Sequence, residues 1–135
     1  MAGHIAGQDE VLEFWLNEIG PAGWYVAVPE VDGKIAQRFM ATWHAAHDGG
    51  LSDWADTPEG ALALLIVTDQ FSRNMFRGDG KSFATDALAR DVARGAIARS
   101  FDLETPEPQR VFFYMPFEHS EALADQDTSV ALMTA

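Results

Sequence analysis

A chain of 135 residues, 47% of them hydrophobic, is long enough for one domain with a real core and too apolar to be disordered. Its net charge of −12 argues against nucleic acid and anionic membranes as partners, because phosphate recognition needs clustered Lys and Arg. The absence of cysteine removes disulfides, thiolate nucleophiles and Cys-based zinc sites together.

Residues 1–8 read as a flexible tail and residues 9–135 as a single helical domain. The N-terminus, MAGHIAGQDE, lacks a basic region followed by an apolar one, so no signal peptide is expected. The longest apolar run, ALALLIV at 61–67, is far too short to span a membrane. A soluble, cytoplasmic protein is the expectation. Asp9 is placed to cap a first helix on which Val11, Leu12, Trp15 and Ile19 share a face. GPAGWYVAVPE, 20–30, reads as a loop. Asp32 is placed to cap a second helix carrying Ile35, Phe39, Trp43 and Ala46 at helical spacing, ended by Gly49 and Gly50. LSDW, 51–54, reads as one short turn. Thr57-Pro58-Glu59 then combines a capping hydroxyl, a proline at the first helical position and an acid in the first turn. This third helix is predicted to run to about Phe76, where GDG at 78–80 breaks it. Thr85 is placed to cap an alanine-rich fourth helix over 86–99. Thr105-Pro106 repeats the start signal for a short helix ending near Tyr114. Pro116 is the expected break before a last helix over 117–133. No strand-like alternation of useful length, linker or repeat stands out.

Projection at 100° per residue raises a question about the third helix. Leu62, Leu65, Ile66 and Phe76 define one stripe, and Asp69 and Arg73 fall inside it. The opposite face carries Leu64, Val67, Phe71 and Met75. A helix apolar on both faces is a covered, central helix. Gln70, Asn74 and Arg77 form a narrow polar edge between the faces. The last helix repeats the pattern: Leu123, Val130 and Met133 mark a stripe that includes His119 and Gln126, flanked by Glu118, Glu121 and Asp125. Buried polar groups need partners, so the two helices are expected to supply them to each other.

Asp69 and Arg73, at i and i+4, are spaced to form an ion pair. Two readings of the cluster stand. In one it is a pocket for an anion or acyl group: Arg73 and Arg77 bind a carboxylate or phosphate, with Asp69 or His119 as acid or base. Gln70, Asn74, Glu121, Asp125 and Gln126 complete its binding set. In the other it is a structural network that fixes helix register. His44, His47 and Asp48 form at most a partial metal set; histidines in a last helical turn are ordinary there. Glu118, Glu121 and Asp125 could bind a divalent cation, but read first as a solvated acidic flank or as acceptors for arginines of the third helix. No metal and no cofactor is expected.

The strings ALALLIVTDQFSRNMFRG, FATDALARDVA and FFYMPFEHSEALADQDTSVAL, with VLEFWL near the start, resemble the bacterial family called domain of unknown function 924. The resemblance runs from about Val11 to Leu132. It implies an all-α fold of about six helices in antiparallel hairpins, an α-α superhelix of tetratricopeptide-like type. It implies no reaction, since no catalytic residue is established for the family. The family blocks contain Asp69, Gln70, Phe71, Arg73, Asn74, Arg77, His119, Ser120, Glu121, Asp125 and Gln126, overlapping the inward-facing set. The sequence departs from the family at Ser72, where proline is usual. It also departs at its end, where family members continue with further helices. A face left open by those helices would be covered in a homodimer, or half of a pocket would be missing.

The resulting expectation is a helical interaction or ligand-binding module whose partner is a protein or a small anionic ligand. The alternative is a small hydrolase or transferase acting on an anionic metabolite, with Arg73 and Arg77 as the anion clamp and Asp69 or His119 as the acid or base.

Overall fold

A computed structural model describes residues 5–24, 28–107 and 109–118. The fold is all-α, and no strand occurs among the described residues. The α-helices are α1 (Gln8–Leu12), α2 (Pro29–His47), α3 (Pro58–Leu65), α4 (Ser72–Met75), α5 (Asp86–Ala98) and α6 (Met115–Glu118). Two of them run on without a break into wider, π-helical turns: α1 into Glu13–Ile19, and α3 into Ile66–Phe71, which leads directly into α4.

Glycine and proline punctuate the chain where local chemistry requires it. Gly20, at φ 72°, ends the first helical segment, and Gly49, at φ 85°, follows α2. Thr57 caps α3 as its sequence predicts: its Oγ1 accepts the Gly60 N–H at 3.0 Å, and Pro58 sits where no N–H is needed. Other expected caps do not form. α1 begins at Gln8, before Asp9, so Asp9 lies in the first turn rather than capping it. α2 begins at Pro29 inside the expected loop, which leaves Asp32 in the first turn, free to bond elsewhere. The Thr85 hydroxyl donates to the Thr68 carbonyl and accepts no helix N–H, and that of Thr105 donates to the Phe101 carbonyl. The expected break falls at Tyr114, between the 3-10 turn Gln109–Phe113 and α6, and Pro116 occupies the second position of α6, where its missing N–H costs nothing. Of the residues read as a tail, Ala6 is buried, and its N–H donates to Thr42 Oγ1 at 2.8 Å. The helix expected over 117–133 lies outside the described residues beyond Glu118.

The continuous segment from α3 to the start of α4 is the axis of the core. Every residue from Gly60 to Ser72 is buried, as expected for a helix apolar on both faces. α1, α5 and the 3-10 turn Ser52–Asp56 pack on α3, while α2 packs on the π-helical stretch and α4. Phe71 sits at the meeting point, with ring centroids of Phe39, Trp15 and Phe14 at 4.7, 5.6 and 6.0 Å. Truncating a residue so enclosed typically costs about 3–5 kcal/mol. α5 turns Ala89, Ala93 and Ala96 inward, and their small side chains let its backbone approach α3. No helix among the described residues is long and apolar enough to cross a membrane.

Candidate functional site: two arginine–carboxylate clusters on one helix

The polar run that follows ALALLIV is built on the π-helical stretch. A π-helix bonds N–H to the carbonyl five residues back, so each residue advances less than in an α-helix and carbonyls tilt away from their usual partners. Side chains hold this geometry. Thr68 Oγ1 donates to the Leu64 carbonyl at 2.8 Å. The Thr68 carbonyl in turn accepts the Thr85 hydroxyl at 2.6 Å. Ser72 Oγ donates to the Ser82 carbonyl at 2.8 Å. Thr68, Ser72, Ser82 and Thr85 are all buried, and these bonds tie the central helix to the start of α5 and the loop before it. The residue at 72 is thus a hydroxyl donor that a proline could not replace.

The first cluster centres on Arg73. Its NH1 donates to Asp69 Oδ1 at 2.8 Å, confirming the spacing-based pair, and also to the Asp69 carbonyl at 3.2 Å. The same guanidinium faces Asp86 with two bonds, NH1 to Oδ1 at 3.0 Å and NH2 to Oδ2 at 3.2 Å. Asp69 Oδ2 accepts from Gln70 Nε2 at 2.9 Å, and that amide also reaches Met115 Sδ at 3.6 Å. Phe83 lies with its ring 5.7 Å from the Arg73 guanidinium carbon. Asp69 is fully buried, and Arg73 keeps about a quarter of its side chain in solvent (24%).

The second cluster lies one turn further on. Asn74 Nδ2 donates to Asp32 Oδ1 at 2.8 Å, while Arg77 donates through Nε to Oδ2 at 2.8 Å and through NH2 to Oδ1 at 3.1 Å. Burial alone would raise the Asp32 carboxyl. The hydrogen bonds from Arg77 and Asn74 and the Arg77 charge outweigh it and hold the group below the usual carboxylate range. The bond to Asp32 correspondingly raises Arg77.

The structure therefore brings Asp69, Gln70 and Arg73 together and sets Asn74 and Arg77 in a separate cluster. His119, Glu121, Asp125 and Gln126 lie outside the described residues. The long-range partners actually seen, Asp32 and Asp86, were missed as site residues. Both sit in the first turn of a helix, where an acid is already explained by the helix dipole, and no local signal marks a long-range bond. A third group was also missed. Tyr114 Oη donates to Asp102 Oδ2 at 2.7 Å in the core, and Arg110 Nε donates to the Asp102 and Thr105 carbonyls. Burial first, then the bond to the Asp102 carboxylate, raises the Tyr114 hydroxyl well above its ordinary value. His44 and His47 occupy the last turn of α2 and pack against Trp43, with ring centroids at 5.1 and 5.3 Å. Among the described residues no group of three His, Asp or Glu is arranged to hold a metal.

Chemically, each cluster satisfies its carboxylates from within the chain, while the Arg77 side chain stays about half exposed (48%). Both Asp69 oxygens accept bonds, and the two arginines each grip a carboxylate of the same chain with two nitrogens. Open space lies elsewhere: a cavity of about 280 Å³ between the end of α2, the Ser52–Asp56 turn, α3 and α5, with neither cluster in its walls.

This chain belongs to the family described as bacterial protein of unknown function (DUF924), whose profile matches residues 11–135. It is similar to a solved protein of unknown function from Agrobacterium tumefaciens, with 38% sequence identity and a TM-score of 0.89. That match covers 93% of this chain and 70% of the Agrobacterium chain. No curated protein matches.

Proposed function

We propose that the chain is a non-catalytic helical binding module that engages a protein partner, and that its arginine–carboxylate clusters are the frame of the module rather than an active site. One observation carries this reading. Arg73 and Arg77 are each held at both oxygens of an internal carboxylate, Asp86 and Asp32. A substrate anion would find each guanidinium already paired and could use only the N–H groups not engaged by Asp69, Asp86 or Asp32. Asp69, the candidate base, has one oxygen on Arg73 and the other on Gln70. The alternative, a hydrolase or transferase with Arg73 and Arg77 as anion clamp, needs Asp69 freed to act as base and an anion held by the outer N–H groups alone. Stacked helical hairpins of tetratricopeptide-like type, the arrangement implied by the family resemblance, suit a binding role; fold alone carries little weight.

A thermal-shift screen tests the reading, using inorganic phosphate, pyrophosphate and small mono- and dicarboxylates on the wild type and on Arg73→Lys. The expected result is no stabilisation by any anion and a lower melting temperature for Arg73→Lys alone. A ligand at about 100 times its Kd adds about 2.7 kcal/mol to stability, which such a screen detects readily. An anion that stabilises the wild type but not a folded Arg73→Lys would overturn the module reading in favour of the enzyme.

A further inference from the structure

Two contacts give α6 a direction. Met115 Sδ lies 3.6 Å from Gln70 Nε2 on the π-helical stretch. Phe117 is buried, with its ring 5.4 Å from the Arg94 guanidinium carbon on α5. Just before α6, Tyr114 Oη bonds Asp102, which lies past the C-terminal end of α5. From Tyr114 to Phe117 the chain therefore runs back along α5, from Asp102 to Arg94, against the direction of that helix. α6 touches both α5 and the central segment, and it points toward the N-terminal end of α5.

Three features lie ahead on that line. One turn along α5 from Arg94 comes Arg90, which is half-buried. Next is Asp86, gripped by Arg73, whose side chain keeps 24% of its surface in solvent. Last is Phe83, whose ring lies beside the Arg73 guanidinium and is 61% exposed. The surface from Arg94 to Phe83 thus offers a guanidinium, a partly open ion cluster and an apolar ring in turn. From Arg94 to Asp86 it measures about 12 Å along α5.

The residues that follow α6 in the sequence match this surface in order. Residues four apart share a helix face. A helix continued past Glu118 would carry His119, four residues after Met115, toward the Asp69–Arg73 pair, because Asp69 is bonded to Gln70. It would carry Glu121, four residues after Phe117, toward Arg90, because antiparallel helices step past each other at equal rise. Leu123 follows His119 on its face, toward Phe83. Each arrival is chemically matched: an imidazole at Asp69 and Asp86, a carboxylate at a guanidinium, an apolar side chain at an exposed ring. As a helix, residues 119–133 would extend about 22 Å, enough to pass Asp86 and reach the loop that bears Phe83.

We propose that the surface of α5 and the central segment from Arg94 to Phe83 is the docking surface of the chain's own residues 119–133, which lie antiparallel to α5 with Glu121 on Arg90 and His119 facing the Arg73 cluster. The segment covers the part of Arg73 still in solvent and keeps external anions from its outer N–H groups. This goes beyond the module reading and does not rest on it. The chain has no cysteine, so Asp127→Cys gives a single site for a nitroxide spin label in the full chain. The label should broaden the amide NMR signals of residues 81–83 and Asp86 and leave those of residues 97–101 sharp. Arg90→Glu and Glu121→Arg should each weaken that broadening and lower the melting temperature by about 3 °C or more. The double exchange should recover both. His119→Ala should also weaken the broadening. Broadening at residues 97–101, or at Leu51 and Gly95 on the other side of α5, would put the segment elsewhere and overturn the proposal. Absence of broadening at any of these positions would overturn it as well. Additive losses in the double exchange would overturn the register. The anion screen decides the module reading separately.

Discussion

Arg73 and Asp86 face each other fork to fork, NH1 on Oδ1 at 3.0 Å and NH2 on Oδ2 at 3.2 Å, across 13 residues of chain. The same guanidinium holds the buried Asp69, so one cation bridges two carboxylates from two helical segments. Removing it strands both. Arg73→Ala should therefore lose about 3–5 kcal/mol of stability in urea denaturation. Arg73→Lys keeps the charge but not the planar fork, and should lose at least about 1 kcal/mol. A loss well under 1 kcal/mol for Arg73→Ala would remove the case for the cluster as a frame.

The Asp32 cluster predicts a dependence on acid. Its folded pKa lies below the unfolded value, so near that range the folded chain binds fewer protons than the unfolded one. The stability it contributes is fully present above the unfolded pKa of about 4 and is lost as pH falls through the lowered folded value. The stability difference between wild type and Asp32→Asn should be constant from neutral pH to about 5 and shrink below about 4. A difference that does not change with pH would show that the Arg77 bond contributes through shape alone.

Tyr114 predicts the opposite limb. Its folded pKa is raised, so the unfolded chain ionises first, at about pH 10. Stability from this group is fully present below that pH and is lost as pH rises toward the folded value. Tyr114→Phe should flatten the alkaline loss of stability. At neutral pH it should cost about 1–3 kcal/mol, because the buried Asp102 carboxylate loses its donor.

Two glycines inside helices should respond in opposite directions to alanine. A Cβ on Gly60 would collide with the Trp54 carbonyl oxygen and crowd Gln8 Nε2 and Thr57 Oγ1. Gly60→Ala should therefore destabilise by about 1–3 kcal/mol despite the gain in helix propensity. Gly95→Ala enters open space and should stabilise by about 0.5–1 kcal/mol. Paired melting curves of the two variants read both signs at once.

Ser100 ends α5 in the left-handed region at φ 63°. Around it the Ser100 N–H bonds the Ile97 carbonyl and the Phe101 N–H bonds the Ala96 carbonyl, both at 2.9 Å, the pair of bonds that glycine usually hosts at a helix end. Ser100→Gly should relieve the steric cost of the Cβ and stabilise by about 1 kcal/mol. A loss of stability would mean that the serine hydroxyl outweighs the strain.

What the sequence determined by itself was local. The Thr57-Pro58 start of α3, the glycines after α2, the inward face Ile35, Phe39, Trp43 and Ala46, and the Asp69–Arg73 pair all follow from contacts within one turn. Such contacts depend only on neighbours along the chain, so spacing suffices to read them. The all-α fold is legible for the same reason. What the tertiary structure decided was the choice of distant partners. Asp32 reaches Asn74 and Arg77 across more than 40 residues, and Thr85 gives its hydroxyl to Thr68 rather than to its own helix. Each looked like a helix cap because a cap and a long-range partner require the same residue types. The π-helical stretch Ile66–Phe71 was equally invisible, since the bonds that tie it down include long-range ones, Thr85 to Thr68 and Ser72 to Ser82, as well as the local Thr68 bond to Leu64. Whether Arg73 is an open clamp or a closed latch depended on where Asp86 falls in space. Packing of α5 against the central helix sets that position, and no spacing along the chain encodes it.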